Sequence, residues 1–342
     1  MREKDSPRDA TSPLIAVVSV LRAAAIVAST TLAGLIITQS AIAQNYPNRP
    51  IRLVVPFPPG GGTDIMARVM AQKLSEAFGQ TVVVDNRGGG GGTIGAEIAA
   101  KSTADGYTMT MVSGSYAVNA GLYKLPYDPL NGIDTVSLVG TSPFIVALHP
   151  SVPAKSVKEL IGLAKAKPGS LNYASTGTGG ITHMATELFR LMANVNIVHV
   201  PYKGTGPALN DVIGGQVQMI FGAILATLPH TKSGRLKGIA VSGSKRSNAA
   251  PEMPTVAESG LPGYEVTLWY GVWGPKGLPK VVLTRWNAEL VRILQSEDMK
   301  ARLAAEGLDA VGNTPEQFRA YLKQEIAKWA KVIKDANVKV GS

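Results

Sequence analysis

The chain has 342 residues, of which 45% are hydrophobic and 17% charged. That length accommodates two domains of ordinary size, and 37 glycines with 22 prolines imply sharp turns between short elements, which favours a mixed α/β fold over a helical bundle. The net charge of +10 comes from dispersed Lys and Arg without a basic stripe of interleaved aromatics, which argues against nucleic acid as a partner, and the lack of cysteine excludes disulfides and a thiol-linked lipid anchor.

Residues 1–43 have the pattern of an export signal. Arg2, Lys4 and Arg8 precede an apolar run from Leu14 to Ile37, and Ala41-Ile42-Ala43 supplies small residues for cleavage before Gln44. An uncleaved anchor is the competing reading, since the apolar region approaches a bilayer span. With no cysteine, the expected location is the periplasm of a Gram-negative cell.

The mature chain then repeats one grammar of short β-branched strand, turn rich in Gly, Ser or Thr, and helix of apolar spacing. Strand 51–55 leads through Pro56 to Asp64 into a helix over 65–78, with Met66, Val69, Met70, Leu74 and Ala77 on one face. Strand 81–84 is followed by Gly88 to Gly92 and a helix from about Ile94, and strand 108–112 by Ser113-Gly114-Ser115. After Pro153 come a helix over 157–167, strand 171–174, the turn Ser175 to Gly180, a helix over 181–192, strand 197–200, the turn Pro201 to Pro207 and a helix from near Ala208. Strands 217–221 and 236–241 complete that part, and alternation of this kind predicts largely parallel sheets.

The remainder changes character. Residues 266–273 form an extended aromatic segment, and helices are expected over 280–295 and 316–334. The second has Thr314 as cap, Pro315 at the first position, Gln317 completing a capping box, and Phe318, Leu322, Ile326, Trp329 and Ile333 on one face. This tail needs a core to cover. The expected organisation is therefore one discontinuous domain, 44–143 plus 268–342, with a second, 144–267, inserted.

In open α/β sheets ligands sit beyond the carboxyl ends of strands, where unpaired helix N–H groups and the helix dipole attract an anion. Two such turns, one from each domain, suit a carboxylate. Competing chemistries lack their residues. Gly90, Gly92 and Gly95 match a dinucleotide fingerprint only as a by-product of the glycine run, and neither a phosphate-binding P-loop nor a nucleophile elbow is present. The four histidines, His149, His183, His199 and His230, show no metal-ligand spacing. His183 and Glu187 share a helix face, where His183 either supports the Ser175 turn or packs in the core, or else meets a ligand or a metal. Asp64 is either a dipole partner or a ligand contact. Trp269 and Tyr270 belong to hinge, core or site. A hydrolase or dehydrogenase using the same cleft is the alternative reading.

The residues also resemble a known family. Val54-Val55-Pro56-Phe57-Pro58-Pro59-Gly60-Gly61-Gly62-Thr63-Asp64, Val84-Asp85-Asn86-Arg87, Ala104-Asp105-Gly106-Tyr107-Thr108, Ser175-Thr176-Gly177-Thr178-Gly179-Gly180 with His183 and Glu187, Val200-Pro201-Tyr202-Lys203-Gly204 with Pro207-Ala208-Leu209, Gly214-Gly215-Gln216-Val217 and Pro254-Thr255-Val256-Ala257-Glu258-Ser259-Gly260 resemble the receptors of tripartite tricarboxylate transporters, also called the Bug or TctC-like family. The resemblance implies a monomeric two-domain periplasmic binding protein, type II-like, with mixed, mostly parallel sheets flanked by helices. Its ligand would be a small di-, tri- or aromatic carboxylate in the interdomain cleft, delivered to membrane components of the transporter or to a sensor, without cofactor, metal or catalysis. Carried over by position, Phe57, Gly61, Gly62, Thr63 and Asp64 form one ligand loop and Tyr202, Lys203, Gly204, Thr205 and Pro207 the other. Ser113, Ser115, Ser175, Thr176, Thr178 and His183 complete the wall. Many relatives have Phe-Asp where this chain has Phe221-Gly222, so a roomier, more neutral pocket is expected at Gly222, and an amino-acid ligand is disfavoured.

Overall fold

Residues 46–335, 337 and 338 are described in a computed structural model of the chain, in which Arg49–Ser342 is one compact unit. The expected signal peptide lies outside the described residues. Of the unit that ends at Asn48, residues 46–48 are described and lie in no helix or strand.

Ten strands form a continuous sheet that changes partners along one strand. β1 (Ile51–Val55) runs parallel to β2 (Val82–Asn86) and β3 (Thr108–Ser113), with Leu53 opposite Val84 on one side and Met109 on the other. β4 (Ile133–Leu148) is the shared strand. From Ile133 to Pro143 it pairs antiparallel with β9 (Thr267–Pro275), which also pairs with β3; the two-residue β10 (Asp309–Ala310) joins at Gly140 and Thr141. From Phe144 to Leu148 it pairs instead with β7 (Met219–Ala223) and β8 (Lys237–Val241). Beyond β7 lie β5 (Asn172–Ser175) and the edge strand β6 (Val198–Pro201), both parallel. The mixed α/β class stands, with one correction. Parallel pairing is confined to the two flanks, because the centre is built by β4, which runs from one sheet half into the other, and by its antiparallel neighbour β9.

The first-half helices follow the Gly-rich turns. They are α1 (Gly62–Phe78), α2 (Thr93–Ala100) and α3 (Ser115–Leu122). Met66, Met70 and Leu74 of α1 are fully buried, as their spacing requires, and Gly79 ends the helix in the left-handed region at φ 66°. The second half contributes α4 (Val157–Ala166), α5 (Ile181–Ala193), α6 (Thr205–Ile213) and α7 (Ile224–Lys232).

The tail supplies α8 (Lys280–Gln295), α9 (Glu297–Ala305) and α10 (Pro315–Asp335). It is tied to the first stretch of β4. Thr135 Oγ1 donates to the Pro315 carbonyl at 2.8 Å and Ser137 Oγ to that of Asn313 at 2.9 Å. Gly271 of β9 leaves the space that the Phe318 ring fills. Glu325, buried on α10, accepts from the indole N–H groups of Trp269 at 2.9 Å and Trp329 at 3.1 Å. A carboxylate removed from water needs such partners, and here they fasten the tail helix to the crossing strand β9.

Candidate functional site

The turns at the carboxyl ends of β1, β3, β5, β6 and β7 converge on one region. Each opens a helix whose N-cap is Gly or Ala and has no side-chain cap: Gly61 for α1, Gly114 for α3, Gly180 for α5, Gly204 for α6 and Ala223 for α7. The first N–H groups of α1, α3, α6 and α7 are therefore available to an anion, whereas that of Ile181 in α5 is taken by Ser115 Oγ.

The inner of two adjoining cavities is lined by Phe57, Gly61, Gly62, Thr63, Ser113, Ser115, Phe144, Thr176, Ile181, Thr182, Thr205, Ala223, Leu268 and Tyr270. No charged side chain is among these described residues. Its volume is about 20 Å³, against about 270 Å³ for the outer cavity. The outer one is lined by Phe57, Gly89 to Gly92, Tyr123, Thr176 to Thr178, Pro201, Tyr202 and Lys203, and Lys203 is its one charged lining residue among those described. Phe57 and Thr176 separate the two.

The two halves touch directly around these cavities. A Cβ on Gly204 would come within 2.8 Å of Pro58 Cδ, one on Gly206 within 2.9 Å of the Pro59 carbonyl oxygen, and one on Gly91 within 2.9 Å of the Thr178 carbonyl oxygen. Glycine is required there by close approach. Ser115 Oγ, at the start of α3, accepts from the Ile181 N–H of α5 at 3.0 Å, which leaves its own proton free to donate.

Tyr270, which the sequence left open between hinge, core and site, lines the inner cavity. Its phenol is fully buried, reaches Gly62, and has no hydrogen-bond partner. Burial pushes its pKa up; the nearby Ser142 hydroxyl opposes this only in part and lies outside hydrogen-bond geometry. At neutral pH the group is a neutral donor. A Cβ on Gly62 would overlap Tyr270 Oη, so the glycine makes room for the phenol. A buried hydroxyl without a partner carries a desolvation penalty of about 1–3 kcal/mol, which a ligand acceptor would relieve.

Several expected site residues are placed elsewhere. Asp64 lines neither cavity: it accepts from the Gly60 N–H at 2.9 Å, Arg68 Nε at 3.1 Å and Asn86 Nδ2 at 2.9 Å. Burial works against its charge, but these bonds outweigh it and the pKa is lowered. Asn86 also donates to the Phe57 carbonyl, so Asp64 and Asn86 together shape the first loop. His183 lines neither cavity; its Nδ1 accepts from the Gly179 N–H at 3.2 Å, and its ring stacks on His199 at 4.0 Å between centroids. Burial lowers its pKa, helped by Arg190 and opposed by Glu187. His199 is lowered further, to about 3, by burial and by His183. Ser175 Oγ bonds His199 Nε2 at 2.6 Å and sits beneath the turn.

Thr176 is fixed by Thr182, and both face the inner cavity. Tyr202 and Lys203 line the outer cavity only, the Tyr202 phenol donating to Asp211 at 2.7 Å. Gly204 and Pro207 line neither. Gly222 also lines neither, and its missing side chain leaves no added room, because Thr227 Oγ1 occupies that direction. Its neighbour Ala223 faces the cavity instead. A third cavity of about 180 Å³, beside Thr141 to Pro143 and Thr267, contains none of the expected residues, and its Lys245 and Arg246 are paired with Asp309 and Glu258.

Residues 66–338 match the family model for the tripartite tricarboxylate transporter family receptor. The chain is similar to protein BugT of Bordetella pertussis, 40% identical over 301 residues, covering 87% of this chain and 92% of BugT. Among solved structures, R. palustris Rpa4515 with adipate is similar at TM-score 0.84 and 37% identity, over 86% of this chain and 99% of that one. MatC (Rpa3494) from Rhodopseudomonas palustris with bound malate is similar at TM-score 0.80 and 29% identity, over 84% and 100%.

Proposed function

This chain belongs to the tripartite tricarboxylate transporter family of receptors, and from that premise we propose that it is an exported binding protein that captures a small organic dicarboxylate for uptake. The observation that carries this reading is a cavity without charged side chains on which uncapped helix N-termini and the unpartnered Tyr270 phenol converge. Charge-assisted hydrogen bonds contribute about 1.5–3 kcal/mol each, so three or four cover the roughly 8 kcal/mol of micromolar binding, less what ordering costs. A carboxylate gains from dipoles and N–H groups, whereas an ammonium has no carboxylate partner there. The adipate and malate of the two similar structures fit the same class.

The ligand-contact set we propose is Phe57, Gly61, Gly62, Thr63, Ser113, Ser115, Thr176, Thr205 and Tyr270. Thr178, Tyr202 and Lys203 face the mouth. The two domains are 44–143 with 268–342, and 144–267, a division supported by the change of β4 partners between Pro143 and Phe144. Cleavage near Ala43 releases a monomer into the periplasm, where membrane components of the transporter or a sensor receive it. Binding proceeds without catalysis, a reading supported by His183 Nδ1 and both Asp64 oxygens being engaged within the fold.

Thermal-shift titration of the mature chain with di-, tri- and aromatic carboxylates tests this. A true ligand at about a hundred times its Kd stabilises by about 2.7 kcal/mol. No shift from any of them at millimolar concentration would sink the proposal.

A further inference from the structure

We propose that Tyr123 is a latch across the cavity mouth, a positioning residue that holds the two sheet halves closed and so sets how long ligand stays bound. The inference rests on the carboxylate-receptor reading for its ligand, and on geometry alone for the latch.

Tyr123 follows α3, on the half built from β1 to β3, and its N–H bonds the Asn119 carbonyl at 3.0 Å. Its phenol reaches over the outer cavity and donates to the Thr178 carbonyl, on the β5–α5 turn of the opposite half, at 2.8 Å. The ring lies against Gly179, where a Cβ would stand 3.0 Å from Tyr123 Cε2. From the other flank, Gly91 abuts the same Thr178 carbonyl and is itself held by Asn119 Nδ2 at 3.1 Å. Thr178 and Gly179 are thus gripped between α3 and the glycine run. Any separation of the halves at this mouth must break the Tyr123 bond, while β4 continues through both halves and Val266, bonded to Ser242, leads back into β9, so these two crossings can act as hinges. Ser115 also bonds across the halves, but it faces the inner cavity and meets ligand directly, and the exposed Lys245–Asp309 pair lies at the third cavity; Tyr123 faces the mouth.

A bond present only in the closed form slows opening more than closing, so its removal is read mainly in dissociation. Tyr123→Phe keeps the ring on Gly179 and deletes only the donor. Stopped-flow measurement with adipate is expected to give a dissociation rate about 2- to 10-fold faster than the parent chain, with the association rate within about twofold. Because the chain has no cysteine, Lys101→Cys with Lys165→Cys provides one dye site on each half. Energy transfer between them in ligand-free protein is expected to shift towards the open form in Tyr123→Phe. Unchanged energy transfer overturns the latch, whatever adipate does. If energy transfer shifts but the parent chain binds no carboxylate, the latch stands and the ligand reading falls. A faster dissociation rate with equally slowed association and unchanged energy transfer assigns Tyr123 to local packing and overturns the latch.

Discussion

The helices divide by how their first turns are completed. Away from the cavities, Ser156 caps α4 through the Glu159 N–H, Ser296 caps α9 through that of Met299, and Thr314 with Gln317 forms a reciprocal box at α10. Around the cavities α1, α2, α3, α5, α6 and α7 begin at Gly or Ala without a side-chain cap. The α8 helix follows Pro279 uncapped but is remote; there Asp134 accepts from the Gly277 and Leu278 N–H groups just upstream. A cap contributes about 1 kcal/mol, so the first group uses its donors for stability, and the second, apart from the Ile181 N–H that Ser115 holds, leaves them to an external acceptor. Function here is stored as backbone groups left unfinished.

The largest effect is expected at Gly62. Gly62→Ala improves helix propensity, yet its methyl group collides with Tyr270 Oη. We expect a folded protein whose carboxylate affinity, followed by isothermal titration, is at least about 100-fold weaker; the corresponding loss is about 2.7 kcal/mol. Retained affinity would show that the phenol and α1 can separate without consequence.

Tyr270→Phe sharpens the same point with two readouts of opposite sign. Removing an unpartnered buried hydroxyl raises ligand-free stability by up to about 1 kcal/mol, while affinity falls about tenfold for lack of the donor. A fall in both would mean that the hydroxyl has a role within the fold.

The support beneath α5 responds to pH. His183 and His199 have lowered pKa values in the fold, so each binds protons more weakly than in the unfolded chain. Their contribution is complete above the unfolded value near 6.5 and is lost as pH falls from there towards about 3. Asp64 and Glu187 also have lowered values, but they titrate below their reference values of 3.8 and 4.5 and leave the range from pH 6.5 to 5 to the histidines. Tm should fall by roughly 2–4 °C across that range for each kcal/mol lost, and His199→Phe should flatten the decline. An unchanged decline would assign it to other groups.

The smallest effect belongs to the capped group. Ser156→Ala is expected to lower stability by about 1 kcal/mol in urea denaturation and to leave affinity unchanged. Altered affinity would mean that the two groups of helices are not independent.

Much of this arrangement is legible in the residues. The strand, glycine turn and helix of 51–78 and 171–193 follow from β-branched runs, turn residues and apolar spacing, and the box at Thr314 and Gln317 marks its helix as it stands. β4 is not, because burial of both faces removes the alternation of a half-exposed strand and Pro143 interrupts the run. The α3 helix reads as a bare Ser-Gly-Ser turn, and α7 and α9 are also missed. Within the site, the glycines and hydroxyls of the first loop and of Ser113, Ser115, Thr176 and Thr205 come together as expected. Asp64, His183 and Ser175 do not, since their polar atoms satisfy the turns that carry the site. The role of Tyr270 depends on its lacking a partner, which no local pattern encodes.

On the proposed function, unfinished helix N-termini in an uncharged cavity select a carboxylate. Isothermal titration should compare the tightest-binding dicarboxylate of the screen with its diamide, which keeps the shape and removes the charge. The account predicts affinity near micromolar for the acid and at least about 100-fold weaker for the diamide. Equal binding of the two, or tighter binding of the diamide, would contradict it.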